Sequence, residues 1–317
     1  MNGGPLEPAD LSGVRRYSIA GRKSLVSRED FVRLVGPEAT AAELVQSFPD
    51  ILVGREFKAL AARIARAVQS GAKVGLALGA HVIKCGLSPL VIDLMERGIV
   101  HGVALHGAGA IHDLELARAG ETSEDVAAGV VDGSFGMAAE TGDAMNAATR
   151  RAARERCGLG RAVGREILES GAPYSHLSIL AAATRLDLPA TVFVAIGTDI
   201  VHMHPGVDAA ALGEASYLDF RLLVSFVQGL GGGVWLNVGS AVILPEVFLK
   251  AVNVARNLGS PVADLATADL DMLRHYRPRV NVCERPVRES YRLTGHHEIL
   301  LPLLRVAILA NLRETPG

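Results

Sequence analysis

The spacing of apolar residues changes character near residue 73. Before that point it is helical: in residues 56–70, Phe57, Leu60, Ala61, Ile64 and Val68 fall on one face, and residues 40–47 form a shorter amphipathic segment. Ser27, followed by Glu29 and Asp30, has the form of an N-cap with acids in the first turn, and predicts a helix through Leu34. After residue 73, short apolar runs alternate with helical stretches. Residues 73–79, 102–105, 190–195 and 231–236 read as buried strands. Residues 87–97, 138–157, 160–170, 178–185, 220–227, 245–258 and 300–312 read as helices, with 280–283 a further short element before a polar loop. Residues 106–110, His-Gly-Ala-Gly-Ala, read as a small-residue turn.

Strands that alternate with helices of about 10–15 residues predict an α/β fold, its sheet mainly parallel and covered by helices on both faces. An extended arm over residues 1–26 is expected to precede one α/β domain over residues 27–317, which opens with a helical extension. No stretch after residue 73 has the composition of a linker, and no internal repeat is visible. In such sheets ligands bind beyond the C-terminal strand ends. The turns at 79–86, 106–113, 197–204 and 236–239 are therefore expected to face one cleft.

Composition narrows the function classes. The 32 basic and 34 acidic residues leave a net charge of −2, with no electrostatic footprint for nucleic acid or an acidic membrane surface. Aromatics at 4% argue against base-stacking platforms. Cys85, Cys157 and Cys283 lie far apart and form neither a disulfide framework nor a paired metal motif. No apolar run approaches the roughly 18–20 residues of a membrane span, and the first ten residues lack the order of a secretory signal. A cytoplasmic protein acting on a small molecule is expected, without nucleic-acid or membrane partners.

Candidate chemistry lies in glycines and histidines. Small residues at strand ends allow a phosphate or ribose to approach the backbone, although neither Gly107-Ala-Gly109 nor Gly229-Leu-Gly-Gly-Gly233 follows the six-residue dinucleotide pattern. Seven of the ten histidines, His81, His106, His112, His202, His204, His296 and His297, sit in or beside strand-end turns. In an extended segment His202 and His204 would point the same way, with Asp199 just upstream. That set suits zinc or iron ligation, or a general base near neutral pH. Of five lysines, Lys84 alone falls in a cleft turn.

Five blocks, in order over residues 70–312, resemble the deoxyhypusine synthase family. Ala80-His-Val-Ile-Lys-Cys-Gly86 resembles its first cofactor loop, and Leu105-His-Gly-Ala-Gly-Ala-Ile-His-Asp113 its Thr-Ala-Gly-Gly-Val-Glu-Glu turn. Leu188-Pro189 with Thr198-Asp199, Leu230-Gly-Gly-Gly-Val234 and Ile299-Leu-Leu-Pro-Leu-Leu304 are similar to the remaining three. The resemblance implies a Rossmann-like, doubly wound NAD-binding fold and a homotetramer built as a dimer of dimers. It also implies oxidation of spermidine by NAD, capture of the aminobutyl group on a lysine as an imine, and transfer to a protein lysine. Carried over by position, residues 80–84 (Ala80, His81 and Lys84 among them), Gly107, Ala108, Gly109, Asp113 and Asp199 line the NAD site, joined by His296 and His297.

The polyamine side of the motif set differs. His112 and His204 stand at family carboxylates, Asn237 at the catalytic histidine and Arg279 near the catalytic lysine, and the Trp-Gly-Lys motif is absent. A guanidinium offers no free amine for an imine. The expectation is an NAD-dependent enzyme with another small polar substrate. His204 or His112 would be its base, Asn237 and Arg279 would hold a polar group, and Lys84 is the remaining candidate nucleophile. A metal-dependent enzyme, a non-catalytic NAD-binding module, and a true deoxyhypusine or homospermidine synthase with a displaced lysine are the alternatives.

Overall fold

In a computed structural model that describes residues 6–313, six strands form a sheet. They are β1 (Val74–Leu78), β2 (Gly102–His106), β3 (Ala190–Phe193), β4 (Val234–Val238), β5 (Ala266–Asp271) and β6 (Glu289–Thr294). All five pairings are parallel, in the order β3-β2-β1-β4-β5-β6. The helices are α1 (Ala41–Ser47), α2 (Leu52–Gln69), α3 (Ala80–Lys84), α4 (Ser88–Glu96), α5 (Gly107–Ala119), α6 (Val126–Asp132), α7 (Ala139–Glu155), α8 (Leu159–Glu169), α9 (Ile179–Arg185), α10 (Ala209–Gln228), α11 (Ile243–Asn257) and α12 (His297–Arg313). The expected Rossmann-like, doubly wound parallel sheet is the one observed.

Alternation along the strands decides which side chain meets which layer. Leu76, Leu78, Leu105 and Leu236 join a core with Leu60 and Ile64 of α2, Leu304 of α12 and Leu159 and Ile167 of α8. Ala77, Ala104 and Trp235 face the other way, against Leu223 and Phe226 of α10 and Phe248 of α11. There the Trp235 and Phe248 rings stack at 4.7 Å and 5°. Gly75 makes room for them, since a Cβ on it would lie 2.5 Å from the indole.

The order in which successive strands are added to the sheet reverses between β1 and β4. At that point the Gly79 N–H donates to the Val238 carbonyl at 2.8 Å. A Cβ on Gly79 would meet the Gly239 carbonyl oxygen at 2.0 Å, so the two strand ends are held in backbone contact. Such a reversal is where open parallel sheets form their ligand crevice.

Several expected elements differ. Residues 28–34 form only a 3-10 turn at Arg28–Asp30, with a reciprocal Ser27–Asp30 capping box. Phe31, Val32 and Leu34 are exposed, so no packing extends that turn into a helix. Residues 107–110 open α5 and are not a turn, and residues 278–284 are π-helical. Strands β5 and β6 lie where no strand was expected. In β5 the sequence Ala-Thr-Ala-Asp-Leu-Asp breaks the apolar run, and β6 is a half-exposed edge. No helix among the described residues is long and apolar enough to cross a membrane.

Candidate functional site

Two neighbouring regions at the C-terminal strand ends collect polar side chains. The first lies over the β1–β4 reversal. The buried His297 imidazole packs on Gly239, where a Cβ would sit 2.6 Å from its Nε2, and Gly239 has φ +68°, so glycine is required twice over. Burial holds His297 below the usual histidine range, and the His81 ring lies 6.0 Å away. Asn237, on β4, is fully buried; its Nδ2 donates to the Ser240 carbonyl at 3.0 Å and to Asp269 Oδ1 at 2.8 Å. Burial pushes Asp269 up to about 6, with Asp271 adding to the rise and the Asn237 bond opposing it.

The second region lies at the end of β2. The first turn of α5 is Gly107-Ala108-Gly109, and the Asp199 carboxylate fills the space beside it: a Cβ on Gly107 would lie 2.0 Å from Asp199 Oδ2. The Ala108 N–H donates to this carboxylate, an acid at a helix N-terminus. Burial nonetheless pushes Asp199 up to about 6. His202 Nδ1 accepts from the Gly197 N–H at 3.1 Å, which leaves the ring proton of its neutral form on Nε2, 4.0 Å from Asp199 Oδ2.

Beside Asp199 a cleft of about 210 Å³ opens, walled by Lys84, His112, Glu115, Glu124, Thr198 and Asp199 over an apolar floor that includes Ile111 and Phe135. Four buried polar atoms around the two regions have no hydrogen-bond partner among the described residues: Asp199 Oδ2, His202 Nε2, Asn237 Oδ1 and His297 Nδ1. Each such group left unpaired costs about 1–3 kcal/mol.

Ala80, His81, Lys84, Gly107, Ala108, Gly109, Asp199 and His297 gather at these strand ends, and His112 joins Lys84 and Asp199 in the cleft. Asp113 does not. It is fully buried and caps α9, accepting from the Ser178 hydroxyl at 2.5 Å and from the Ile179 and Leu180 N–H groups at 2.8 and 3.1 Å. His204 also turns away: Ile200–Met203 is a 3-10 turn and not extended, so His202 and His204 do not point together. The His204 Nε2 lies 2.8 Å from the Gly136 carbonyl and its ring packs on Gly142. Arg279 is exposed on the π-helical segment, 2.9 Å from Glu284 and over the Tyr276 ring, near the β5–β6 edge. His296 is exposed, 3.8 Å from Glu298. Sequence reasoning missed Glu115, Thr122 and Glu124; Glu115 was signalled by its place three residues after His112 on one helix face. Among the described residues, no three His, Cys, Asp or Glu side chains converge as a metal ion would require.

The chain matches no protein-family model and no curated protein. Solved structures do match. The ternary complex of AgrE with ornithine and NAD+ aligns at TM-score 0.51 and 17% identity, over 81% of this chain and 33% of that one. A conserved LOR/SDH protein from Methanococcus maripaludis aligns at 0.52 and 15%, over 91% and 75%. A deoxyhypusine synthase from Entamoeba histolytica aligns at 0.52 and 12%, over 86% and 94%. What is shared is the fold. This chain spans about a third of the AgrE chain it matches. The chemistry must therefore be argued from the cleft.

Proposed function

We propose that this protein is an NAD-dependent enzyme of deoxyhypusine-synthase-like fold that oxidises a small polar substrate other than spermidine. The observation that carries this reading is Asp199: a buried carboxylate with one oxygen unpartnered, which lines the cleft from the loop after β3 and packs against the small-residue head of α5, where a carboxylate can accept from a sugar hydroxyl. An NAD+ bound by AgrE, a protein sharing this fold, supports the same cofactor.

The residues present fit such a cofactor. Asp199, which lines the cleft, would hold a ribose hydroxyl, and the small-residue head of α5 at Gly107, Ala108 and Gly109 lets the cofactor approach the backbone beside it. When bound, NAD+ supplies a hydride acceptor for a substrate carbon. The chain's own part is to bind, orient and deprotonate. In the cleft His112 is placed to take the proton from the substrate hydroxyl or amine whose carbon is oxidised. Lys84 can donate to a carbonyl or carboxylate oxygen of the substrate, and the apolar floor excludes water. Arg279, paired with Glu284, provides no imine-forming amine.

Calorimetric titration tests this. The wild type should bind NAD+, and Asp199→Asn, which keeps an oxygen for the Ala108 N–H but loses the charge, should bind about 10- to 100-fold more weakly, the worth of about 1.5–3 kcal/mol for a bond to a charged group. A folded wild type that takes up no NAD+ would refute the proposal.

A further inference from the structure

One imidazole in the cleft has hydrogen-bond directions that can be counted proton by proton. His112 Nδ1 lies 2.6 Å from Thr122 Oγ1, and Thr122 Oγ1 lies 2.5 Å from Glu115 Oε2. The other oxygen of Glu115 accepts from the Thr141 hydroxyl at 3.1 Å. Burial raises the Glu115 carboxyl, but the bonds from His112, Thr122 and Thr141 outweigh it and leave the group below the usual carboxylate range. An ionised carboxylate accepts and cannot donate. The single Thr122 proton is therefore directed to Glu115, and what Oγ1 offers His112 is a lone pair. His112 must donate, so its Nδ1 carries the hydrogen. The opposite nitrogen, Nε2, is left with a free lone pair on a side chain that lines the cleft, and no hydrogen bond to it occurs among the described residues.

We propose that Glu115 and Thr122 are positioning residues that lock His112 in its Nδ1–H form, making Nε2 the proton acceptor of the cleft. This rests on the reading of the cleft as the substrate site. The charged and titratable groups facing His112 come from several elements: Lys84 from α3, Glu124 from the loop before α6, Asp199 from the loop after β3, and His106, at the head of α5 itself. None of them reaches Nδ1; besides Thr122 Oγ1, the Glu115 Oε2 itself lies 3.7 Å from Nδ1, so the tautomer depends on the Thr122–Glu115 pair. In the proposed oxidation the substrate O–H or N–H bond would break and its proton would pass to Nε2, and bound NAD+ would supply the acceptor for the hydride lost from the adjacent carbon. One C–H and one X–H bond are lost, one C=X bond forms, and the imidazolium that results faces Glu115 through Thr122. A histidine whose second nitrogen is held by a hydroxyl–carboxylate pair is oriented as a base should be.

The test is spectroscopic and uses the full chain. Protein labelled with nitrogen-15 in histidine is examined by long-range proton–nitrogen correlation at alkaline pH, with His112 assigned by its loss in His112→Gln. The wild type should show a protonated Nδ1 and a bare Nε2. Thr122→Ser should preserve that pattern, and Thr122→Val should release it toward the Nε2–H form. Glu115→Gln should invert it, because the new amide donates to Oγ1 and turns the hydroxyl toward Nδ1. A wild-type His112 carrying its proton on Nε2, or a tautomer unchanged in both Thr122→Val and Glu115→Gln, overturns the inference. None of these readouts involves NAD+. In the wild type, absence of the Nδ1–H pattern with NAD+ binding intact overturns the positioning role alone, whereas the pattern present in wild type that binds no NAD+ overturns the function and leaves the positioning role standing.

Discussion

The Asp113 carboxylate accepts the Ser178 hydroxyl at 2.5 Å and so ties α5 to the first turn of α9. Its second oxygen takes the Ile179 N–H, which commits the whole side chain to the protein interior. Asp113→Ala should therefore act on stability and leave the cofactor site alone. It would strand one hydroxyl and two backbone donors at a helix N-terminus, at about 1–3 kcal/mol for each donor that water cannot reach. Denaturant melts should show a loss of about 3 kcal/mol or more, and calorimetry on the folded variant should give the wild-type NAD+ affinity. A selective loss of NAD+ binding would return Asp113 to the cleft.

Four buried acids set an unusual pH dependence. Burial pushes Asp113, Asp199 and Asp269 up to about 6 and Asp219 up to about 7, above the value near 3.8 of an exposed aspartate. Between the unfolded and folded values each of these acids holds more proton in the native chain than in the unfolded one, so the acids' contribution to stability falls as pH rises through that window, while His101, His106, His202 and His297, held low by burial, contribute in the opposite sense. Each unit of separation is worth about 1.4 kcal/mol. The acids' share is read in thermal melts as a difference between the wild type and a variant that lacks one of them. Asp219→Asn removes the group titrating highest, so its midpoint should rise relative to the wild type between pH 5 and pH 7; a difference between the two that stays constant over that range would contradict it.

How much of this was readable from the chain depends on how far apart the partners lie. Strand β1 announced itself because Val74 to Leu78 is buried on both sides and contains no charge. Strand β5 did not, because Asp269 is kept in the interior by a bond from Asn237, a residue on another strand. Gly107 and Gly109 looked like a turn because the carboxylate that caps α5 comes from Asp199, far along the chain. The pairing of His202 with His204 assumed extended backbone, and the 3-10 turn that breaks it starts where the His202 N–H reaches back to the Asp199 carbonyl. Thr122 carries no local signature at all; it becomes visible only when the loop after α5 folds back over His112.

Gly107 offers a sharper test of Asp199 than changing the acid itself. A methyl group on Gly107 would stand 2.0 Å from the carboxylate and displace it from the head of α5 without altering any charge. Gly107→Ala should cost about 1–3 kcal/mol of stability through overpacking. It should also weaken NAD+ about tenfold or more in calorimetry, since the displaced carboxylate no longer meets a ribose. Unchanged NAD+ affinity in a destabilised but folded Gly107→Ala protein would remove Asp199 from the cofactor site.

His112 and His204 were equal candidates for the base, and their surroundings now separate them. His112 lines the cleft with Nε2 free, whereas His204 has its Nε2 2.8 Å from the Gly136 carbonyl and its ring against α7. With a substrate found by screening small hydroxy and amino compounds for NADH formation, His112→Ala should lower kcat about 10²–10⁴-fold, the range for loss of a general base, with KM for NAD+ little changed. His204→Ala should keep kcat within a few-fold and lower the melting temperature instead, because what it removes is the tie between the 134–137 loop and the turn after β3. Equal losses of kcat in the two variants, at matched folded fractions, would show that proton transfer does not run through His112.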